Sequence, residues 1–273
     1  MKKVLKDITF GQYVESNSFI HRLDPRTKIL LTILGIVFLF LADSNNLFSL
    51  LVCIVQVAII IAFSRVPLRM YLKNIKAILP IIVLTTIINL FYGSGEVLLS
   101  FWRVTITTGG VNRAVYMAVR VILLILLSSV LTYTTTPNDI TDAIESLLSF
   151  LRIFGLRTAV HMLAMMMTIA LRFIPTLVEE TEKIINAQKA RGADLESGKL
   201  FQRIRALIPI LIPLLISSVR RAYELAEAME CRCYNGGVGR VRMKELKYGL
   251  RDITAAAVML IFCGGVIAVN ILL

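Results

Sequence analysis

The 273-residue chain is short of the side chains on which most enzymes run: two histidines, four cysteines and one tryptophan, with 18 Asp and Glu against 30 Lys and Arg. His21 and His161, with a Cys231-x-Cys233 pair that has no second ligand pair nearby, do not make up the roughly four ligands of a zinc site. Cys53 and Cys263 fall in apolar runs and read as small packing residues. A cytoplasmic place for Cys231 and Cys233 argues against a disulfide. No Gly-x-x-x-x-Gly-Lys-Ser/Thr loop occurs, which excludes the usual cradle for nucleotide phosphates. No Ser/His/Asp constellation suggests hydrolysis, and no apolar run carries an acidic residue at mid-length where a proton or sodium site would sit. The chain is therefore not read as an enzyme, and no metal or cofactor is expected in it.

What is abundant is apolar side chain. Hydrophobic residues make up 57% of the sequence and charged ones 18%, and the mean hydropathy is +0.77. This is the composition of an integral membrane protein. The basic opening Met1-Lys2-Lys3 resembles the start of a signal peptide, but Asp7, Gln12 and Glu15 interrupt any apolar stretch behind it, so no cleavage is expected. Five apolar stretches approach the roughly 20 residues that cross about 30 Å of hydrocarbon: Thr27–Ala42, Leu47–Phe63, Ala77–Tyr92, Ala114–Thr134 and Asp252–Leu272. The first helix should begin near Arg26, after Pro25.

Basic residues favour the cytoplasmic side. Lys2, Lys3, Lys6, Arg22, Arg26 and Lys28 precede or open the first span, the link 42–46 has no Lys or Arg, and the next carries Arg65, Arg69, Lys73 and Lys76. The third link, 93–110, holds only Arg103. This alternation predicts an N-terminus inside, a cytoplasmic segment over 135–247 and a C-terminus outside. Arg113 and Arg120 share one helical face at the start of the fourth span. Either they face the protein interior, or 105–120 lies in the interface and the span starts later. The net charge of +12 is distributed at span ends as topology demands, with no aromatic-interleaved basic patch, so nucleic acid is not an expected partner. Nonspecific contact of the N-terminal and 65–76 cations with anionic lipid is expected.

The segment 135–247 has a different plan. Thr136-Pro137-Asn138-Asp139 is a helix start with Asn or Asp available as cap. A short amphipathic helix follows, with Ile140, Ile144, Leu147, Leu148 and Leu151 on one stripe, and Gly155 breaks it. Two long helices then run from about Leu156 to Arg191 and from about Leu200 to Cys233, each near 50 Å long. Each has an apolar half, Met-rich in the first (Met162, Met165, Met166, Met167), and a charged half. Gly192 stops the first, and Asn235-Gly236-Gly237 ends the second. His161, Arg172 and Pro175, and in the other Pro209 and Pro213, are expected to interrupt any span. The apolar halves suit the interface and the charged halves water, the build of a lever between membrane and cytosol.

Three blocks carry a family resemblance: Ser18-Phe19-Ile20-His21-Arg22-Leu23-Asp24-Pro25-Arg26-Thr27-Lys28, then Ala187-Gln188-Lys189-Ala190-Arg191-Gly192-Ala193, then Ala228-Met229-Glu230-Cys231-Arg232-Cys233. In this order, and over essentially the whole chain, they resemble the transmembrane T component of energy-coupling factor (ECF) transporters, the CbiQ/EcfT family. The resemblance implies that Ala190-Arg191-Gly192 and Cys231-Arg232-Cys233 end coupling helices that dock into two ABC-type ATPase subunits, which bind the ATP and magnesium. It also implies that an apolar face, here the Met-rich one, meets a small substrate-binding membrane subunit, with interchangeable subunits among the possibilities. In the second motif Cys231 and Cys233 stand where the family pattern has Ala and Gly, which puts the local backbone geometry in question.

Plainer readings stand beside these. An Arg beside Gly in a last helical turn often only complements the helix dipole, for about 0.3–1 kcal/mol; a matched pair at the ends of two similar helices favours docking. Arginine suits docking because its planar fork stays charged and can bridge carboxylates and carbonyls. The Met cluster is ordinary core or an adaptable docking face. His21, Asp24, Pro25 and Arg26 either cap the first span or make an assembly contact. The expected architecture is an all-α integral membrane protein of about five transmembrane helices with two long coupling helices and one short one. Its divisions are a membrane domain at 1–134, a coupling domain at 135–247 and a last span at 248–273. The expected role is the scaffold that transmits ATP-driven motion to uptake of a vitamin or a transition-metal ion. The alternative is a permease that binds its own substrate, which should show a polar midplane cavity.

Overall fold

A computed structural model describes residues 13–42, 47–91, 97–101, 104–149, 157–193, 200–235 and 246–272. The basic residues Lys2, Lys3 and Lys6, the link 43–46, Leu151, Gly155 and the glycines at 236 and 237 lie outside them. Among the described residues the chain forms α1 (Pro25–Leu41), α2 (Leu47–Ser64), α3 (Leu68–Phe91), β1 (Val97–Phe101), β2 (Val104–Thr107), α4 (Thr108–Thr134), α5 (Pro137–Leu147), α6 (Arg157–Ala190), α7 (Leu200–Cys231) and α8 (Leu250–Leu272). The all-α class holds, with one addition. β1 and β2 pair antiparallel from Phe101 opposite Val104 outward, in a stretch read from the sequence as a plain link. Val97, Val104, Thr105, Ile106 and Thr107 supply the β-branched content that favours strands.

Among the described residues five helices are long and apolar enough to cross a membrane: α3, α4, α6 from Ala159, α7 from Arg205, and α8. By length and composition, α6 and α7 therefore have the apolar run that the sequence reading denied them, and their prolines do not shorten it. Pro175 lies inside a continuous α6 and Pro209 and Pro213 inside a continuous α7, so none of them ends its helix. One turn's hydrogen bond is lost at a proline, but neighbouring turns carry the helix on. The helices α1 and α2, with 17 and 18 residues, are the short ones, at the lower limit of about 17 for a crossing.

The chain divides into two compact units, one of Gly11–Ala143 with Glu245–Leu273 and the other within Ile144–Lys244. In the first, α1, α2, α4 and α8 enclose a core of Leu39, Leu50, Cys53, Val57, Tyr116, Leu123, Leu127 and Val266. Gly35 makes the close approach possible, because a Cβ there would meet Leu127 Cδ2 and Met259 Cε, each at 2.8 Å. A second cluster, Val66, Tyr71, Val130 and Tyr133, lies nearer the other end of α4, where the Tyr71 and Tyr133 rings meet edge to face at 5.3 Å.

Arg120 decides between the two readings of the fourth span. α4 is one unbroken helix from Thr108, capped by the Thr107 hydroxyl, and Arg120 turns inward. Its Nη2 donates to the Ala42 carbonyl at 2.5 Å, and Tyr116 donates to the same oxygen at 2.8 Å. Asn270 donates to the Leu41 carbonyl at 2.9 Å. The last carbonyls of a helix have no partner within it, so these side chains close the C-terminal end of α1. Arg113, in contrast, has an exposed side chain.

In the second unit α6 and α7 pack through Ile185 and Ile210, flanked by Ile184 and Ala206. Glu180 bridges to Arg221 Nη2 at 2.7 Å and Nε at 3.1 Å, and also accepts from the Ser217 hydroxyl. Gln188 Nε2 donates to the Pro209 carbonyl at 3.5 Å. Rising numbers on α6 meet falling numbers on α7, so the two helices cross in opposite senses.

Candidate functional site

The two arginine-bearing ends are built alike. At the end of α6 the Gly192 amide donates to the Lys189 carbonyl and the Ala193 amide to the Gln188 carbonyl, both at 3.0 Å. At the end of α7 the Cys233 amide donates to Glu230 at 2.8 Å and the Tyr234 amide to Met229 at 3.0 Å. Each is the paired 5→2 and 6→1 bond of a Schellman cap, which satisfies the terminal carbonyls by turning one residue left-handed. Gly192 takes that place with φ of 85° and Cys233 with φ of 55°. The missing glycine therefore leaves the turn intact and costs strain, about 1 kcal/mol or somewhat more for a residue with a Cβ.

A prediction follows from that strain. Cys233→Gly should tighten the α7 cap by about 0.5–1 kcal/mol, part of the relief being offset by glycine's extra freedom when unfolded. The measurement is hydrogen exchange at the Tyr234 amide, expected to slow about two- to fivefold.

Ala190, Arg191, Gly192, Cys231, Arg232 and Cys233 are all exposed. Since α6 and α7 cross in opposite senses, their ends leave the crossing on opposite sides, after about 9 Å of helix beyond Ile185 and about 33 Å beyond Ile210. Met162, Met166 and Met167 are exposed on α6 at 46%, 54% and 41%, alongside Leu163, while Met165 is half-buried. They do not form core within their own unit. α7 exposes Leu207, Ile208, Leu211, Ile212, Leu215 and Ile216.

The first block lies in the other unit, and its local role is structural. Asp24 is the N-cap of α1, accepting from the Arg26 amide at 2.9 Å, with Pro25 at the first helical position; proline costs nothing there because that amide has no helical partner. The Arg26 guanidinium stacks 5.4 Å from the Tyr248 ring. The cap belongs to a larger polar knot that joins both ends of the first unit's sequence. Asp252 Oδ1 accepts from the Asp24 amide and the Thr27 hydroxyl, and Oδ2 from the Gly249 amide, all at 2.8 Å. Buried Lys28 donates to the Thr134 carbonyl at 2.8 Å and the His21 carbonyl at 3.1 Å, and its charge is balanced by Asp139, Asp24 and Asp252. Sequence reasoning took Lys28 for a topology marker and Asp252 for the edge of a span; the Asp24/Lys28 spacing of one helical turn was the available signal. Asp139 is also placed differently: Thr136, not Asn or Asp, caps α5, its hydroxyl accepting from the Asp139 amide at 3.2 Å and donating to the Asp139 carboxylate at 2.7 Å.

His21 holds the loop before α1. Its Nε2 donates to the Val14 carbonyl at 2.8 Å, and its Nδ1 accepts from the Ser18 hydroxyl at 2.6 Å. Burial, its largest perturbation, holds the imidazole below its ordinary 6.5; the nearby Lys28 ammonium pulls the same way and the Val14 bond opposes. A base with a lowered folded pKa binds its proton more weakly folded than unfolded, so stability is intact above about 6.5 and falls as the pH drops towards the folded value. Between pH 6.5 and 5 the wild type should lose more thermal stability than His21→Asn, measured by unfolding in detergent.

Among the described residues no group of three or more His, Cys, Asp and Glu could hold a metal ion. A cavity of about 290 Å³ lies in the first unit, walled by Phe19, Phe63, Leu127, Val258, Met259 and Phe262 with few polar groups, Lys28 and Gln56 among them. Its walls do not suit a polar solute.

A family model described as "Cobalt transport protein", CbiQ, matches residues 16–244. The energy-coupling factor transporter transmembrane protein EcfT of Ruminiclostridium cellulolyticum is 49% identical over 264 residues, which is 97% of either chain. The chain belongs to the CbiQ/EcfT family. The EcfT proteins of Acidaminococcus fermentans, 49% identical over 94% of either chain, and of Clostridium kluyveri, 48% identical over 94% of this chain and 95% of that one, agree. Family membership and the apolar helices together make this a multi-pass membrane component of a transporter, in keeping with a chain that is not itself an enzyme.

Proposed function

We propose that this chain is the energy-coupling scaffold of an ECF-type importer. Two ABC-type ATPase subunits, carrying the ATP and magnesium, take the Arg191 and Arg232 ends in their surface grooves. Their closing and opening moves α6 and α7, and the exposed apolar faces around Met162, Met166 and Met167 and along α7 pass that motion to a small substrate-binding membrane subunit. The N-terminus and both arginine ends face the cytoplasm in this reading, and the C-terminus faces outward. The cargo is a vitamin or a transition-metal ion, held by the other membrane subunit.

One observation carries the reading: two exposed arginines sit in equivalent Schellman turns at the ends of crossed helices, with no structural duty among the described residues that requires a guanidinium. Neutral side chains would close these caps equally well, since the bonds are all backbone. The permease alternative finds little support in a cavity with almost wholly apolar walls. Tagged full-length chain, purified from its own membranes in mild detergent, should bring down two nucleotide-binding subunits and a small membrane protein. Recovery of the chain alone, with ligand-binding activity of its own, would favour the permease.

A further inference from the structure

In the first unit α2 and α8 form a fork. They touch along one half of their length, through the Ser49–Asn270 bond, Val52 beside Gly265, and the Gln56–Met259 bond. Beyond that last pair the space between them is the cavity of about 290 Å³. Ile59 and Phe63 on α2 and Thr254 and Val258 on α8 line its two sides, with Leu127 and Val130 of α4 behind. Phe63 is 58% exposed and Val258 48%, so the fork is open at its flank. α8 is long and apolar enough to cross a membrane, and Thr254 to Phe262 lie about 6–18 Å into it. That is the depth of hydrocarbon, not of water.

Gln56 forms the floor of the fork. It is only 5% exposed, and among the described residues its one bond runs from Nε2 to Met259 Sδ at 2.9 Å. A thioether is a weak acceptor, and the second N–H and the carbonyl oxygen of the amide are unused. Burying an amide in that condition is costly, and within a membrane such a side chain is normally answered from a neighbouring helix. The α1 residue beside it is Gly35, which has no side chain to offer. Other polar groups on the cavity are already engaged. Lys28 is bonded to two carbonyls and has three carboxylates around it, so an anion there meets net negative charge and a cation meets the ammonium. Thr32 and Thr134 donate to the carbonyls of Lys28 and Val130. The ligand that fits is neutral and mostly apolar, with one group that both donates and accepts, as a hydroxyl does. Water has that group without the apolar body, and apolar cavities of about half this size stay dry.

We propose that the fork between α2 and α8 is a binding site for a neutral, single-chain alcohol dissolved in the membrane. The molecule enters sideways, pairs its hydroxyl with the Gln56 amide and lays its hydrocarbon along the cavity towards Phe63 and Val258. The volume is at the low end of the roughly 300–1,000 Å³ of ligand pockets, room for one chain and not for the two of a diacyl lipid. A diacylglycerol also carries its hydroxyl on the water side of its chains, whereas Gln56 lies about 12 Å inside α2 from Ser64. Neither arginine-bearing helix end takes part, so the site stands whether or not those ends dock.

The probe is a photoreactive diazirine analogue of octanol, added to the full-length chain in phosphatidylcholine vesicles, with adducts mapped by mass spectrometry. Labelling should saturate and concentrate on 59–63 and 254–262. Excess octanol should suppress it, and octane at the same membrane concentration should not. Gln56→Leu keeps the bulk and removes the amide; it should insert and elute as wild type does, yet label at the fork about fivefold less, the loss of one or two hydrogen bonds. Ala255 lines the cavity from α8, and the ring of Ala255→Phe should fill it and abolish labelling. Labelling spread evenly over the lipid-facing surface overturns the proposal. So does labelling at the fork that octane competes equally and Gln56→Leu leaves unchanged, which would make the fork a slot for any hydrocarbon, a phospholipid tail included. Competition by dioleoylglycerol as effective as that by a single-chain isoprenoid alcohol overturns the choice of a single-chain ligand.

Discussion

Reversing both arginines, Arg191→Glu with Arg232→Glu, is expected to abolish ATPase association while leaving membrane insertion and detergent stability intact. Both side chains are exposed, and the caps they occupy are closed by backbone bonds alone, so the fold has little to lose. An arginine anchoring an interface is typically worth about 2 kcal/mol or more, and reversal adds repulsion. Two such losses come to at least about 4 kcal/mol, close to a thousandfold in affinity. Co-purification and ATP-driven uptake in membrane vesicles are the measurements. The double variant should run as a monodisperse membrane protein without its nucleotide-binding subunits and should not drive uptake. Undiminished uptake would mean that force enters elsewhere. Arg191→Lys with Arg232→Lys separates charge from shape: if the planar fork matters, lysine should recover only part of the loss.

The helix ends were readable from sequence because their signals are local. Gly192 marks a left-handed stop, Asp24-Pro25 marks a start, and the structure places α6 and α7 within a residue or two of the boundaries read from those signals. Cys233 shows where local reading runs short. A cysteine is a poor candidate for positive φ, yet the turn at Gly192 is reproduced there, because the surrounding 6→1 and 5→2 bonds outweigh about 1 kcal/mol of strain.

Proline gave the opposite error. Pro175, Pro209 and Pro213 were taken as interruptions, but a proline removes one hydrogen bond from a helix of more than 30 residues, and the turns on either side persist. The hairpin at 97–107 was missed because two strands of five and four residues give too short an alternation to stand out beside long apolar helices. Least legible were the contacts between distant parts of the chain. Nothing local joins Arg120 to Ala42, or Asp252 to Thr27; such pairs are selected by which helix ends meet, which is a property of the packed bundle.

That distance in sequence is why Lys28 carries the largest stability prediction. Its ammonium is buried between the end of α4 and the loop before α1, with three carboxylates around it. Replacing it with methionine preserves length and apolar packing but leaves the Thr134 and His21 carbonyls without their donor, and removes a positive charge that Asp139, Asp24 and Asp252 balance. Removing one partner of a buried charge cluster typically costs about 3–5 kcal/mol, a large share of a total stability of about 5–15 kcal/mol. Lys28→Met should therefore unfold far earlier than wild type on heating in detergent. Asp252→Asn is expected to be milder, about 1–3 kcal/mol, because its amide oxygen can still accept from the Asp24 amide and the Thr27 hydroxyl while its NH2 replaces the acceptor of the Gly249 amide. Lys73→Met, on an exposed position of α3, should change stability by less than about 0.5 kcal/mol. The order Lys28→Met, Asp252→Asn, Lys73→Met is the test: equal unfolding of the Lys28 and Lys73 variants would show that the knot carries no net stability.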